Sequence, residues 1–227
     1  MVSRRALMAA AILAPGLAHA QADPAREAAD RLVTAMGGPA AWARAKGIRI
    51  AARHWERQLA EPYENLILMS LEEPRMRFEG NSATMKRRRA VVDERGWRVS
   101  ELAPLGPMTP EQVASDLRWW EAHVYRNLGR LARRDPQVTP KLAADGRLEL
   151  YRPDGVRLIW YRLNAAGEPV AYGQFDDERG SILGPLVERG GGVRLPAWST
   201  SADGGFRVMI TEAAALPAAP AADYDKP

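Results

Sequence analysis

The side chains best suited to catalysis are scarce in this 227-residue chain. Beyond residue 20 it has two histidines, His54 and His123, and the absence of cysteine excludes thiol chemistry. Neither histidine predicts a metal site, because Glu121-Ala122-His123 lacks the second His of a zinc-binding helix. A Gly-x-Ser-x-Gly turn, which would present a nucleophilic serine, is also missing. We therefore expect no enzyme, catalytic residue, metal or cofactor, while a hydrolase that uses His54 or His123 stays open as a third hypothesis.

The densest charge in the chain is the run Lys86-Arg87-Arg88-Arg89. Side chains alternate along a strand, so Lys86 and Arg88 would point one way and Arg87 and Arg89 the other. The run fits a solvated edge strand that pairs with glutamates between residues 72 and 79. It also fits a site for anionic headgroups or an acidic partner, with one pair of cations at the mouth of a cavity.

Two adjacent tryptophans, Trp119 and Trp120, lie in an amphipathic segment that predicts one helix from Thr109 to about Arg134. Adjacent helical residues point about 100° apart, so both rings cannot face the same sheet squarely. One interpretation places Trp120 in the core and Trp119 over a helix edge. The other places both rings at the mouth of a cavity.

The elements that would position these side chains start with two short helices. Asp23-Pro24 is a typical helix start and Gly37-Gly38 a typical stop, and a second helix is predicted over 39–45. From Ile48 the hydrophobic period changes to two, which is typical of strands, and His54 falls on the apolar face. Five strands are predicted before the long helix and six after it, separated by turns rich in Gly, Pro and Asp.

Composition describes a soluble globular protein, with 46% hydrophobic and 26% charged residues. The net charge is +4, and two of those charges, Arg4 and Arg5, lie in the first 20 residues. The remaining charge is too small and too dispersed to predict a nucleic-acid partner.

The first 20 residues have the pattern of a cleavable signal peptide. Arg4 and Arg5 precede a short apolar run, and Ala18-His19-Ala20 supplies the small residues that flank a cleavage site. Cleavage after Ala20 or Ala22 would release a periplasmic or secreted protein, exported by the general or the twin-arginine route. We predict a signal peptide over 1–20, one domain over 21–213 and a disordered, Ala/Pro-rich tail over 214–227.

Two motifs give the chain a family resemblance. Met36-Gly37-Gly38-Pro39-Ala40-Ala41-Trp42 closes the first helix, and Gly192-Val193-Arg194-Leu195-Pro196 precedes the final hairpin. With the strand-rich layout, these motifs resemble the periplasmic lipoprotein-carrier (LolA-like, LppX-like) superfamily, particularly its uncharacterised exported members. The resemblance covers roughly residues 25–213, and neither motif is catalytic.

The resemblance implies an α+β fold. Its main part is a mostly antiparallel, strongly curved and unclosed β-barrel of about eleven strands. N-terminal helices and one long helix lie across the concave side, with an apolar cavity between helix and sheet. No enzyme activity is attached to this fold.

This reading predicts a non-enzymatic periplasmic binding protein that holds a lipid, an acyl chain or a lipoprotein. We expect a monomer with at most peripheral or transient membrane contact. The candidate ligand-binding residues are Met76, Phe78, Trp119, Trp120, Val124 and Trp160 in the walls, and His54, Arg87 and Arg89 at the mouth. The alternative is an exported interaction or scaffold domain with a fully packed interior, which acts through its charged surface.

Overall fold

The computed structural model describes residues 23–224, so the predicted signal peptide lies outside the described residues. The helices in this range are α1 (Pro24–Ala35), α2 (Pro39–Arg44), α3 (Pro110–Glu121) and α4 (Val124–Ala132). The predicted start signals are confirmed. The Asp23 carboxylate accepts the backbone N–H of Ala25 at 3.0 Å, and Thr109 forms a capping box with Gln112.

The strands follow the predicted order of hairpins. In chain order they are β1 (Gly47–Glu56), β2 (Tyr63–Ser70), β3 (Arg75–Asn81), β4 (Lys86–Val92), β5 (Arg95–Ser100), β6 (Ala103–Pro107), β7 (Thr139–Leu142), β8 (Leu148–Tyr151), β9 (Arg157–Leu163), β10 (Pro169–Gln174), β11 (Ser181–Leu183), β12 (Leu186–Glu188), β13 (Arg194–Pro196), β14 (Trp198–Ser201) and β15 (Phe206–Leu216).

Thirteen of these strands form one curved antiparallel sheet, in the order β6-β5-β4-β3-β2-β1-β15-β14-β11-β10-β9-β8-β7. β12 and β13 pair separately. β6 and β7 lie at opposite edges of the large sheet, so the prediction of an unclosed, curved and mostly antiparallel sheet is confirmed.

The expected number of about eleven strands is too low. β6 lies in a segment rich in proline and glycine, and β7 is only four residues long. Gly184-Pro185 separates the three-residue strands β11 and β12, which belong to different sheets. Strands this short carry too few alternations for the period to reveal them.

The predicted long helix is wrong in one respect, because it is two helices. His123 has an extended backbone (φ −63°, ψ 134°), and its Nδ1 accepts the backbone N–H of Tyr125 at 3.3 Å as the N-cap of α4. Neither Gly nor Pro marks this break, and apolar residues continue across it. The chain turns where a buried histidine supplies the cap.

The hydrophobic core fills one half of the concave face. On β1, Ile48, Ile50 and Ala52 are buried beneath the helices, as the alternating pattern predicted. Trp42 of α2 is fully buried in the same core, stacks on Tyr125 at a centroid distance of 6.0 Å, and donates to the Met36 carbonyl. The other end of β1 emerges from beneath the helices, where His54 and Glu56 are only partly buried.

The two motifs of the family resemblance contact each other. The backbone N–H of Arg194 donates to the Met36 carbonyl at 2.8 Å, and the Arg194 guanidinium donates to the Ala35 carbonyl at 2.9 Å. Gly37 has a φ of +117°, and a Cβ added there would lie 2.5 Å from the Gly192 carbonyl oxygen. The Gly-Gly stop therefore ends α1 and also lets the segment before β13 approach closely.

The last strand extends past the domain boundary expected at residue 213. β15 pairs with β1 as far as Leu216, whose partner is Gly47. A short 3-10 turn over Ala221–Asp223 follows, and the Tyr224 side chain is fully buried. Part of the segment predicted as a disordered tail thus packs against the domain.

A cleft on the uncovered half of the concave face

The uncovered half of the concave face forms an open cleft of about 970 Å³. Its floor consists of the adjacent ends of β15, β1, β2, β3, β4 and β5, and one wall is the face of α3 from Glu111 to Trp119. The cleft exists because α3 packs against β4 and β5 while the other helices lie over the opposite half of the sheet. Its volume is in the range of small-molecule sites.

Part of the floor is apolar. Ile67, Phe78 and Val208 come from three different strands, and Trp119 contacts the Phe78 ring edge-on at a centroid distance of 5.1 Å. Ile67 and Phe78 are paired residues on neighbouring strands, so their side chains lie side by side on one face. Ile67, Phe78 and Trp119 form a patch on which a hydrocarbon chain can lie, whereas Val208 lies farther along the strands, in the row of His54 and Tyr63.

A hydrogen-bonded network of polar side chains flanks this patch. The Tyr63 hydroxyl donates to the Glu56 carboxylate, and the His54 Nδ1 lies 3.4 Å from the same hydroxyl oxygen. The Asn65 amide nitrogen lies 3.1 Å from the His54 Nε2. Since an amide N–H donates, Nε2 is the acceptor and Nδ1 carries the proton, which the tyrosine oxygen accepts. Both ring nitrogens of His54 are thus engaged.

Burial dominates the protonation behaviour of this network. It lowers the pKa of His54 to about 4, and the Arg87 cation adds to this while Glu56 opposes it. Burial and the hydrogen bond to Glu56 raise the pKa of Tyr63 to about 12. At neutral pH His54 is therefore an uncharged imidazole and Tyr63 an intact phenol.

The arginine run is placed differently from the edge-strand hypothesis. β4 lies between β3 and β5 and pairs with both. Arg87 lies over the Tyr63 ring with its nearest carboxylate, Glu56, at 3.6 Å, and Arg89 lies over Phe78 and pairs with Asp116 at 2.9 Å. The two cations that alternation placed on one face both line the cleft.

Asp116 is a carboxylate that the sequence analysis did not single out. It lies on the cleft face of α3, and its residue is only 9% exposed. Burial raises the pKa of its carboxyl, and the Arg89 guanidinium opposes that rise. The pair fastens the middle of α3 to β4 and so fixes the width of the cleft.

Five of the nine predicted ligand-binding residues line the cleft, namely His54, Phe78, Arg87, Arg89 and Trp119. The other four lie elsewhere. Met76, on the same strand face as Phe78, is fully buried beneath the helices. Trp120 is in the core, where its Nε1 donates to the Ser70 carbonyl at 2.7 Å, and Val124 is buried beside it.

Trp160 is on the wrong side of the sheet for a cavity wall. Its neighbour Tyr161 faces the helices and donates to the Val124 carbonyl at 3.2 Å, so Trp160 points to the opposite face of β9. There its Nε1 donates to the Asp177 carbonyl at 2.7 Å. The hypothesis that places Trp120 in the core is therefore correct. Trp119, in contrast, lines the cleft.

The sequence analysis missed several residues of the cleft. Tyr63 and Asn65 follow from the period of β2 once Ile67 is placed facing inward. Val208 is the partner of His54 across β1 and β15, a pairing between residues far apart in the chain. Arg98 is directly opposite Arg89 on β5, and only the register between these strands reveals it.

Among residues 23–224, no group of three or more His, Cys, Asp or Glu side chains is placed to hold a metal ion. Within the same range, no helix is long and apolar enough to cross a membrane.

Comparison with known proteins shows similarity of fold to solved structures. No protein-family model matches the sequence, and no curated protein matches it. A DUF1329 family protein from Desulfovibrio piger superposes with a TM-score of 0.51 at 7% identity, covering 90% of this chain and 98% of that one. An outer membrane lipoprotein-sorting protein domain from Vibrio parahaemolyticus gives 0.47 at 10% identity, over 88% and 96%. At these identities, the first likeness establishes a shared fold.

Proposed function

We propose that this protein binds a lipid or another apolar ligand in the cleft between α3 and the sheet and holds it without covalent chemistry. The observation that supports this best is the open cleft of about 970 Å³ with Ile67, Phe78 and Val208 on its floor. A sheet face that no helix covers is normally polar. Here it carries apolar side chains and is open to solvent.

The energetics of the cleft suit a hydrocarbon chain. Each methylene that moves from water onto the floor contributes about 0.8 kcal/mol, so a chain of modest length gives useful affinity. The floor is built from strands that continue beneath the helices into the core, so the site is preformed and little ordering is needed on binding.

Both histidines favour binding over catalysis. His54 has each ring nitrogen in a hydrogen bond within the protein, so neither is free to take a proton from a bound ligand. His123 is buried, and its Nδ1 caps α4. The hydrolase hypothesis therefore gains no support from the position of either side chain.

We further propose that the protein works outside the cytoplasm, in the periplasm, as a diffusible monomer. The support for export is the pattern of residues 1–20. An exported protein with an open apolar cleft can shield an acyl chain from water between two membranes. The scaffold alternative would be favoured by an interior with no pocket beside the helix, and the cleft along α3 is the opposite arrangement.

The first test is mass spectrometry of protein purified without detergent. We expect a co-purified lipid or fatty acid in roughly stoichiometric amount. Protein that carries none and also fails to bind the neutral dye Nile red would contradict the proposal.

A matched pair of substitutions tests the location. Val208→Trp places a large ring on the cleft floor, whereas Met209→Trp places the same ring on the opposite, exposed face of β15. We expect Val208→Trp to raise the Kd for Nile red about fivefold or more, which corresponds to roughly 1 kcal/mol. Met209→Trp should stay within twofold of the unchanged protein in the same fluorescence titration. Equal effects at both positions would place the ligand elsewhere.

A further inference from the structure

On the cationic side of the cleft, two arginines on neighbouring strands face each other, and their repulsion destabilises the sheet. Arg89 on β4 and Arg98 on β5 are directly opposite each other in the strand register. Residues paired in this way point to the same face, and like charges there repel. Gly106, the partner of Arg98 on its other side, offers no side chain to neutralise it.

Only part of this charge is compensated within the fold. Three arginines whose side chains point to the cleft face, Arg87, Arg89 and Arg98, and three carboxylates line the cleft among residues 23–224. Glu56 and Asp116 lie beside Arg87 and Arg89, while Glu111 is exposed on the first turn of α3. Arg98 is exposed and has no ion pair with a carboxylate of the described residues. The cleft therefore presents an uncompensated cation beside a compensated one.

The two arginines also lie at the end of the apolar floor. Ile67, Phe78, Arg89 and Arg98 form one row across four neighbouring strands, each paired with the next. With strands about 4.8 Å apart, the row is about 14 Å long. One end is hydrocarbon and the other is a pair of guanidinium groups, a polarity that matches an amphiphile with a negative headgroup.

We infer that the cleft selects anionic amphiphiles, with a phosphate or carboxylate headgroup between Arg89 and Arg98 and the chain over Phe78 and Ile67. This inference rests on the proposed function and names its ligand class. Guanidinium groups suit this role because their planar forks donate two parallel hydrogen bonds to such anions. A bound anion would also remove the repulsion between the two cations, so ligand and protein would stabilise each other.

The test compares three probes by isothermal titration calorimetry at low and high salt. Decyl phosphate supplies chain and charge, decanol the chain alone, and inorganic phosphate the charge alone. We expect decyl phosphate to bind about tenfold more tightly than decanol, and the difference to shrink at high salt because the contact is electrostatic. Inorganic phosphate alone should bind more weakly than decyl phosphate, since it buries no methylenes.

The key variant is Arg98→Gln, because Arg98 is exposed and its loss removes no internal ion pair. It should weaken decyl phosphate about tenfold and leave decanol within twofold, whereas Arg98→Lys, which keeps the charge, should lose less. Arg207→Gln removes an equal charge from an exposed position outside the cleft lining, beside Val208, and should behave as the unchanged protein. Arg98→Gln should also leave the free energy of unfolding unchanged or slightly higher.

The outcomes separate the two proposals. Equal binding of decyl phosphate and decanol, or equal effects of Arg98→Gln and Arg207→Gln, would overturn the anionic selectivity and leave the lipid-binding function standing. Inorganic phosphate that binds as tightly as decyl phosphate, and is weakened by Arg98→Gln, would confirm the anion site and overturn the lipid function. If none of the three probes binds, both proposals fail.

Discussion

Replacing Gly37 with alanine is expected to lower the free energy of unfolding by about 3 kcal/mol or more. Its φ of +117° is unfavourable for any residue with a Cβ, and the new atom would lie 2.5 Å from the Gly192 carbonyl oxygen and 2.8 Å from the Val193 Cα. Both neighbours are backbone atoms, so relief requires the segment before β13 to move away from α1. The hydrogen bond from Arg194 to Met36 would be strained by that movement.

Gly38→Ala is the matched control. Gly38 also has a positive φ, +91°, but a Cβ there would have no neighbour within 4 Å. The Gly38→Ala variant should lose only the free energy needed to hold a residue with a Cβ at a positive φ, about 1–2 kcal/mol. Urea unfolding followed by circular dichroism measures both variants. Equal losses for the two would show that the contact between the motifs contributes nothing to stability.

Acidification from pH 6.5 to 4.5 is expected to cost about 2 kcal/mol of unfolding free energy for each of the two histidines. Burial lowers the pKa of His54 to about 4 and that of His123 to about 3, against an ordinary value of 6.5 for histidine. At a pH between the folded and the unfolded pKa, each histidine is protonated in the unfolded chain but neutral in the folded protein. Stability from these groups is therefore complete above pH 6.5 and is lost as the pH falls towards the folded pKa.

Two variants show which histidine is responsible for the pH dependence of the unfolding free energy. His54→Gln keeps an amide that can donate to Tyr63 and accept from Asn65, and His123→Asn keeps an N-cap acceptor for α4. Each should reduce the loss measured by urea unfolding across this range by about 2 kcal/mol. The double variant should keep only the shallower slope of carboxylates such as Glu178, whose pKa is lowered by hydrogen bonds to Arg157 and Arg147. A double variant with the original slope would assign the titration to other groups.

Local patterns predicted those parts of the fold that depend on neighbouring residues. The alternation of Ile48, Ile50 and Ala52 correctly gave the buried face of β1, and Asp23 and Thr109 correctly gave two helix starts. The break at His123 was missed because it depends on a buried side chain acting as a cap, not on a Gly or Pro in the sequence.

The candidate site was predictable only where one strand decides the geometry. Alternation correctly put Arg87 and Arg89 on one face, yet their partners Glu56 and Asp116 come from β1 and α3, and sequence spacing does not fix such contacts. Trp160 shows the same limit, because an apolar strand with helices on one side and a loop on the other has no polar face to reveal its orientation.

An open barrel leaves two sheet edges unpaired, and unpaired edges recruit strands from other molecules. Both edges here contain proline: Pro104 and Pro107 in β6, and Pro140 in β7. Each proline removes a backbone donor that an incoming strand would need. A cleft of this kind requires the sheet to stay unclosed, and the prolines let it do so without edge-to-edge aggregation.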